Sequence, residues 1–185
     1  LVNNDLDAIF AVNEIFAVTA IKLAGKLNIK VPEELSIIGF TDGVKTIQNT
    51  RLMSRIMNSA KDLGTLIMQH AEDYDLSKNG MINSGIIATK LGLSGIPAVA
   101  ERIIIERDLT LLENIKCRYH ISQISAAKSV EIIEERKNKV KFTTGVSINN
   151  LSLNENDIGE FRTFLKLSPP LRTEEDRIDI VQGLK

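Results

Sequence analysis

The chain has 185 residues with 43% apolar content, which suits one medium domain with a buried core. With 23 basic and 24 acidic residues the net charge is −1, which excludes a basic field for nucleic acid and a polybasic membrane signal. The one cysteine, Cys117, excludes an internal disulfide, and no run approaches the roughly 18 apolar residues of a membrane span.

These features predict a cytoplasmic protein. Leu1 to Asp7 has neither a basic nor an apolar signal region, so no secretory leader is expected. The absence of an initiating Met and the abrupt end at Gly183-Leu184-Lys185 suggest a fragment cut at both ends.

Asp7–Val12 has the pattern of a buried strand, followed by a helix over Glu14–Leu27 with Asn13 as cap. Pro32 stops that helix. Leu35–Phe40 is a second strand and Thr41-Asp42-Gly43 a turn. Thr46–Leu63 is helical with Gly64 closing it, and Thr65–Gln69 is a third strand. A loop rich in Asp, Ser, Asn and Gly runs from His70 to about Gly85. Ile86–Leu91 and Pro97–Leu112 are helices. Arg118–Ile121 is a strand, Ala126–Asn138 a helix and Val140–Val146 a strand. Loop follows to Pro169-Pro170, then a short charged helix from Thr173. The alternation predicts βα units and a parallel sheet, open or closed into a barrel. In both architectures functional residues gather at the C-terminal ends of strands. Those positions are Asp42, His70, Gln123 and Ser147–Asn150.

His70 ends an apolar strand and is followed at once by Glu72 and Asp73. Imidazole is a common zinc ligand, and a neighbouring carboxylate can orient it. The alternative is a buried His satisfied by the backbone. Asp42 is a candidate metal ligand or an Asx-turn former. His120 and Ser122 share one strand face by alternation, with Gln123 on the other. Cys117 fits a small buried hydrophobe. Arg172, after a rigid double proline, is a candidate clamp for a carboxylate or a surface Arg. Glu131–Lys139 is the solvated side of a helix.

From about Asp42 to Lys185 the ordered motifs resemble dihydroorotase, of the amidohydrolase superfamily, in its divergent proteobacterial branch. They are His70-Ala71-Glu72-Asp73, Gly80-Met81-Ile82-Asn83 and Leu91 to Pro97 with Ala100-Glu101. Arg107-Asp108, Tyr119-His120, Ser125 and Ser129 follow, then Pro169-Pro170-Leu171-Arg172 with Glu175-Asp176-Arg177. The resemblance implies a partial (β/α)8 TIM barrel and the interconversion of carbamoyl aspartate and dihydroorotate in pyrimidine biosynthesis. It also implies zinc held by His70 and Asp42, and substrate binding by Asn83 and Arg172. The chain departs from the family in several places. It has no His-x-His pair, Gln123 stands where the next metal His is expected, and Ser147-Ile148-Asn149-Asn150 replaces a Pro-His-His loop. Ser168 replaces an Asn. These departures predict a fragment without turnover, or a non-catalytic partner of aspartate transcarbamoylase.

Residues 1–43 resemble instead the effector domain of LacI-type regulators, through Asp7–Asn13 and Val31–Phe40. This predicts a periplasmic-binding-like βαβ piece ahead of the 42–185 partial barrel, and a third reading as a small-molecule sensor. The switch falls at Phe40-Thr41-Asp42-Gly43, inside both folds, which predicts a chimera made by recombination, engineering or misjoined reads. An incomplete barrel exposes strand edges and predicts self-association.

Overall fold

The computed structural model describes residues 22–30, 38–43 and 45–184. The expected strand Asp7–Val12, the start of the helix Glu14–Leu27 and the start of the strand Leu35–Phe40 lie outside the described residues. Residues 22–26 are helical, as expected there. In chain order the elements are β1 (Gly39–Thr41), α1 (Thr50–Asp62), β2 (Leu66–Gln69) and α2 (Tyr74–Ser77). Then come β3 (Ile82–Asn83), α3 (Ile86–Leu91), β4 (Gly95–Ile96), α4 (Ala98–Ile115) and β5 (Arg118–Ile124). The chain closes with α5 (Ala127–Arg136), β6 (Thr143–Val146), α6 (Ile148–Ser152), two 3-10 turns (Glu155–Ile158 and Thr163–Leu165) and α7 (Glu174–Gly183).

Four strands form one parallel sheet in the order β1-β2-β5-β6, and β3 pairs with β4, also parallel, as a separate ribbon. Parallel neighbours need crossover connections, and the helices provide them. Helices α1, α4, α5 and α7 cover one face. Met53, Met57 and Ala60 of α1 and Ile104, Ile105, Leu109 and Leu112 of α4 pack there on Ile67, Tyr119, Ile121 and Ile124. In register, Met68 lies beside His120 and His120 beside Thr143, so these three share the opposite face. Phe40, Met68, His120 and Ser122 are only half-buried.

Local chemistry corrects several expected boundaries. The helix placed over Thr46–Leu63 begins at Thr50, because Asn49 caps it: its Oδ1 accepts from the Leu52 amide at 2.9 Å. Residues 46–49 are drawn off into side-chain bonds with the loop after β2. Gly64 closes the helix as expected, at φ +65°, the left-handed value that favours glycine. The stretch from His70 to Gly85 is not all loop. It holds α2, capped by the Asp73 side chain on Leu76 N at 3.0 Å, and β3. Two-residue strands leave no periodic signal in a sequence. The strand expected at Arg118–Ile121 continues to Ile124, and the one expected at Val140–Val146 starts at Thr143. Ser147–Asn150 is not a loop: Ser147 caps α6, its Oγ accepting from Asn149 N at 3.3 Å. The charged helix from Thr173 is present and opens on a capping box between Thr173 and Asp176.

Candidate functional site at the strand ends

The C-terminal ends of β1 and β2 bring Asp42 and His70 together. The His70 amide donates to Asp42 Oδ1 at 2.8 Å, and Thr46 Oγ1 donates to the His70 carbonyl at 2.6 Å. His70 is 9% exposed. Asp42 is therefore more than a turn former: it reaches across 28 residues of chain to the next strand. Its second oxygen, Oδ2, is buried and has no partner. Burial pushes the Asp42 carboxyl up to about 6, against the His70 amide bond and the charge of the His70 ring.

The His70 ring is held from the other side. Its Nε2 lies 3.0 Å from Ser168 Oγ, and Ser168 Oγ donates to Glu72 Oε2 at 3.1 Å. Nε2 and Glu72 Oε2 are 3.8 Å apart. The Glu72 carboxylate raises the ring above its ordinary value against the effect of burial, and His70 in turn lowers Glu72.

Gln48 braces the two strand-end loops. Its side chain donates to the Glu72 carbonyl at 2.9 Å and accepts from Tyr74 N at 3.1 Å. Arg107 of α4 donates to the Gln48 carbonyl at 2.8 Å and to Asp108 at 2.8 Å, while Tyr119 OH donates to Asp108 at 2.7 Å. Burial raises Asp108 from its ordinary value and pushes Tyr119 well above its own.

A second network lies beside the end of β5. Arg172 is 3% exposed, so it is not a surface residue. It donates to Ser125 Oγ at 3.0 Å, to Asn83 Oδ1 at 2.8 Å and to the Ile96 carbonyl at 2.6 Å. Asn83 passes the chain on to Glu155 Oε2 at 2.6 Å. Glu101, 2% exposed, accepts from the Ser125 and Ala126 amides and from both the Ser125 and Ser129 hydroxyls. It thereby holds the turn into α5, which has no side-chain cap from Ala126 and whose first amide, Ala127 N, donates to Asp176 Oδ1 at 2.8 Å. Sequence reasoning placed Asn83 and Arg172 on the substrate, and the structure does bring the two together. A carboxylate meeting Arg172 would first have to displace bonds it already makes. Glu101, Ser125 and Ser129 were visible as motif residues without a role. The signal for Glu101 was its place on the stripe Ile104, Ile105, Asp108 and Leu112, an acid on an apolar helix face.

Gln123 is half-buried inside β5 rather than beyond it. A bulge between Ile121 and Ile124 breaks the register with β6, so simple alternation does not carry past Ile121. His120 sits lower on the sheet, with Nδ1 2.8 Å from Thr143 Oγ1. Cys117 is buried at 7% exposure, as its apolar role required.

Asp42 and His70 are donor types that zinc takes, and the unpartnered Asp42 oxygen is what a cation would satisfy. Their kind fits and their number falls short. Among the described residues no three His, Cys, Asp or Glu side chains gather to hold a metal ion.

The family model described as dihydro-orotase-like matches residues 17–129. The chain belongs to this family. The dihydroorotase of Ehrlichia canis is 43% identical over 155 residues, covering 83% of this chain and 35% of that protein. The dihydroorotase of Anoxybacillus flavithermus is 36% identical over 172 residues, 91% of this chain and 40% of its own. The chain thus spans about 35 to 40% of the curated relatives it matches. Among solved structures, the dihydropyrimidinase of Brevibacillus agri superposes with a TM-score of 0.68 at 20% identity, over 95% of this chain and 39% of that one. The L-hydantoinase of Arthrobacter aurescens gives 0.63 at 21%, over 84% and 33%. These likenesses establish an α/β fold with parallel strands like part of an amidohydrolase TIM barrel. The dihydro-orotase-like match starts at residue 17, well inside the 1–43 stretch, and the LacI-type expectation gains no support. For membranes, none of the described helices is long and apolar enough to cross one.

Proposed function

We propose that this chain is a segment of a dihydroorotase-like cyclic amidohydrolase of pyrimidine biosynthesis, acting between carbamoyl aspartate and dihydroorotate. The observation that carries the reading is the meeting of Asp42 and His70 at adjacent strand ends, in a chain whose relatives bear the dihydroorotase name. Asp42 and His70 are the residues that would hold zinc. Bound there, zinc would polarise the amide carbonyl and lower the pKa of water. This chain's own contribution is positional. Thr46, Gln48 and Arg107 fix the two loops, and the Arg172–Asn83 pair sits behind the end of β5 as the candidate substrate side. With two donors in place, the 185-residue chain alone is expected to show no dihydroorotate turnover with added zinc above a His70→Ala control.

The positive test is a graft. Residues 38–184 replace the matching stretch of the Ehrlichia canis dihydroorotase, with Gln123→His to supply the expected ligand. Turnover by the folded graft supports the reading, and a folded graft without turnover refutes it.

A second reading, a non-catalytic partner of aspartate transcarbamoylase, is favoured by Gln123 and by the Ser147-capped helix where a Pro-His-His loop was expected. Co-purification with that transferase, together with an inactive graft, would select it.

A further inference from the structure

We propose that the N-terminal end of the four-stranded sheet, opposite the candidate site, is a docking surface for a short acidic segment of a partner protein. That end shares no residue with the site proposed above.

Three turns meet there, each leading from a helix into a strand of the sheet. Lys61 lies in the last turn of α1 ahead of β2, and Lys116 and Arg118 flank the entry into β5. Lys137, Lys139 and Lys141 lie between α5 and β6. All six side chains are exposed. β2, β5 and β6 are neighbours in the sheet, so the three turns are neighbours too. Arg118 donates back to the Gly64 carbonyl at 3.4 Å, which ties the second turn to the first. The pairing of His120 with Thr143, carried two residues back, sets Arg118 level with Lys141 on backbones about 5 Å apart.

The charge at this end is one-sided. Asp62 is the one carboxylate in the three turns. Glu134 and Glu135 stand on the last turn of α5, and Glu113 is already paired with Arg136. Among the described residues none of the six cations enters an ion pair. The whole chain has net charge −1, so six cations against Asp62 leave the remainder at −6. A cation at a helix C-terminus complements the helix dipole, which accounts for Lys61. Arg118, Lys139 and Lys141 stand beyond any helix end. Like charges directly opposite on neighbouring strands are destabilising. The free chain bears that repulsion, and a bound anion would relieve it.

The size of the patch selects the partner. It spans two strand spacings, about 10 Å, which is about one Debye length at 0.1 M salt. Duplex DNA or an anionic membrane extends well past it and meets a molecule with no overall excess of cations. The turns offer no exposed aromatic ring for bases to stack on and no exposed apolar side chain to enter lipid. Cys117 and Val140 are buried, and Phe142 packs on the core. A short run of Asp or Glu side chains fits within the patch.

The test uses the 185-residue chain with a short oligoglutamate peptide as probe, followed by fluorescence anisotropy at low salt. The expected result is binding that disappears at about 1 M salt, where the Debye length is about 3 Å. Lys116→Gln, Arg118→Gln, Lys139→Gln and Lys141→Gln together should weaken it at least about tenfold, because four attractions across water are removed. The same variant should unfold at higher urea than the unaltered chain at low salt, with the gap closing as salt rises. Lys137→Gln with Lys139→Gln serves if the combined variant does not fold. A control changes Arg51, Lys90, Arg162 and Lys166, all exposed elsewhere, to Gln and should bind as before. No binding by the folded unaltered chain overturns the proposal, as does a control weakened as much as the variant. So does a variant that is no more stable than the unaltered chain at low salt. Tighter binding of duplex DNA or of phosphatidylserine vesicles than of the peptide, at equal salt, overturns it as well.

Discussion

Replacing Glu101 with Ala should be the most damaging single truncation at the polar core. Glu101 is 2% exposed and accepts four hydrogens: two backbone amides in the turn just before α5 and two serine hydroxyls. The hydroxyls of Ser125 and Ser129 can turn to new partners, but the amides of Ser125 and Ala126 cannot. Each buried donor left unpaired costs about 1–3 kcal/mol. The Arg172 guanidinium, which meets Ser125 Oγ at 3.0 Å, also loses a nearby carboxylate. Together these come to about 3–5 kcal/mol, the size expected on breaking a buried ionic network. Marginal stabilities are about 5–15 kcal/mol, so much of the total is at stake. With a urea m-value of about 2 kcal/mol per molar, the midpoint should fall by about 2 M. Glu101→Gln keeps one acceptor oxygen and the shape, and should lose about half as much. The control is Glu131→Ala, whose pair with Lys128 lies on the surface. A Glu101→Ala midpoint equal to the control's would refute the anchoring of this turn and the network.

Three further outcomes follow from buried atoms and close approaches. Asp42 is raised to about 6 in the fold from 3.8 when unfolded, so between those values the folded state binds more protons and this group's contribution to stability falls as pH rises. Asp42→Asn should flatten that slope in urea titrations between about pH 4 and 6, and an unchanged slope would contradict the burial argument. Gln69 is fully buried with both amide atoms unpaired, so Gln69→Met should stabilise the chain by about 1 kcal/mol or more in the same assay. Loss of stability would show that the amide is satisfied. A Cβ on Gly145 would lie 2.7 Å from the Ser122 carbonyl at the bulge, so Gly145→Ala should cost about 1–3 kcal/mol by overpacking. A neutral result would mean that the bulge gives way.

Much of the fold was legible because long βα units leave strong signals. The apolar run before His70, the helix stop at Gly64 and the alternation of strand-like and helical stretches all predicted their elements. What escaped was set by contacts distant in sequence. Thr46 and Gln48 look helical until the loop after β2 claims them. β3 and β4 are two residues each and exist because they pair with one another. At the site, Asp42 and His70 could be placed at strand ends from sequence, but their direct bond required the parallel register of β1 and β2. Arg172 read equally well as a clamp or a surface Arg, and only its burial among Asn83, Ile96 and Ser125 decides what it touches. The Ser168 bridge is the extreme case, since nothing local marks that serine as a partner of His70.

The central claim is that the reactive end of this segment is built on His70. Its most direct measure is kcat/KM for dihydroorotate in the graft, compared with the same graft carrying His70→Ala. A ring that holds the metal should cost at least about a hundredfold when removed, more than the 10–100-fold typical of groups that only orient a ligand. Values for the two grafts within twofold of each other would contradict the claim.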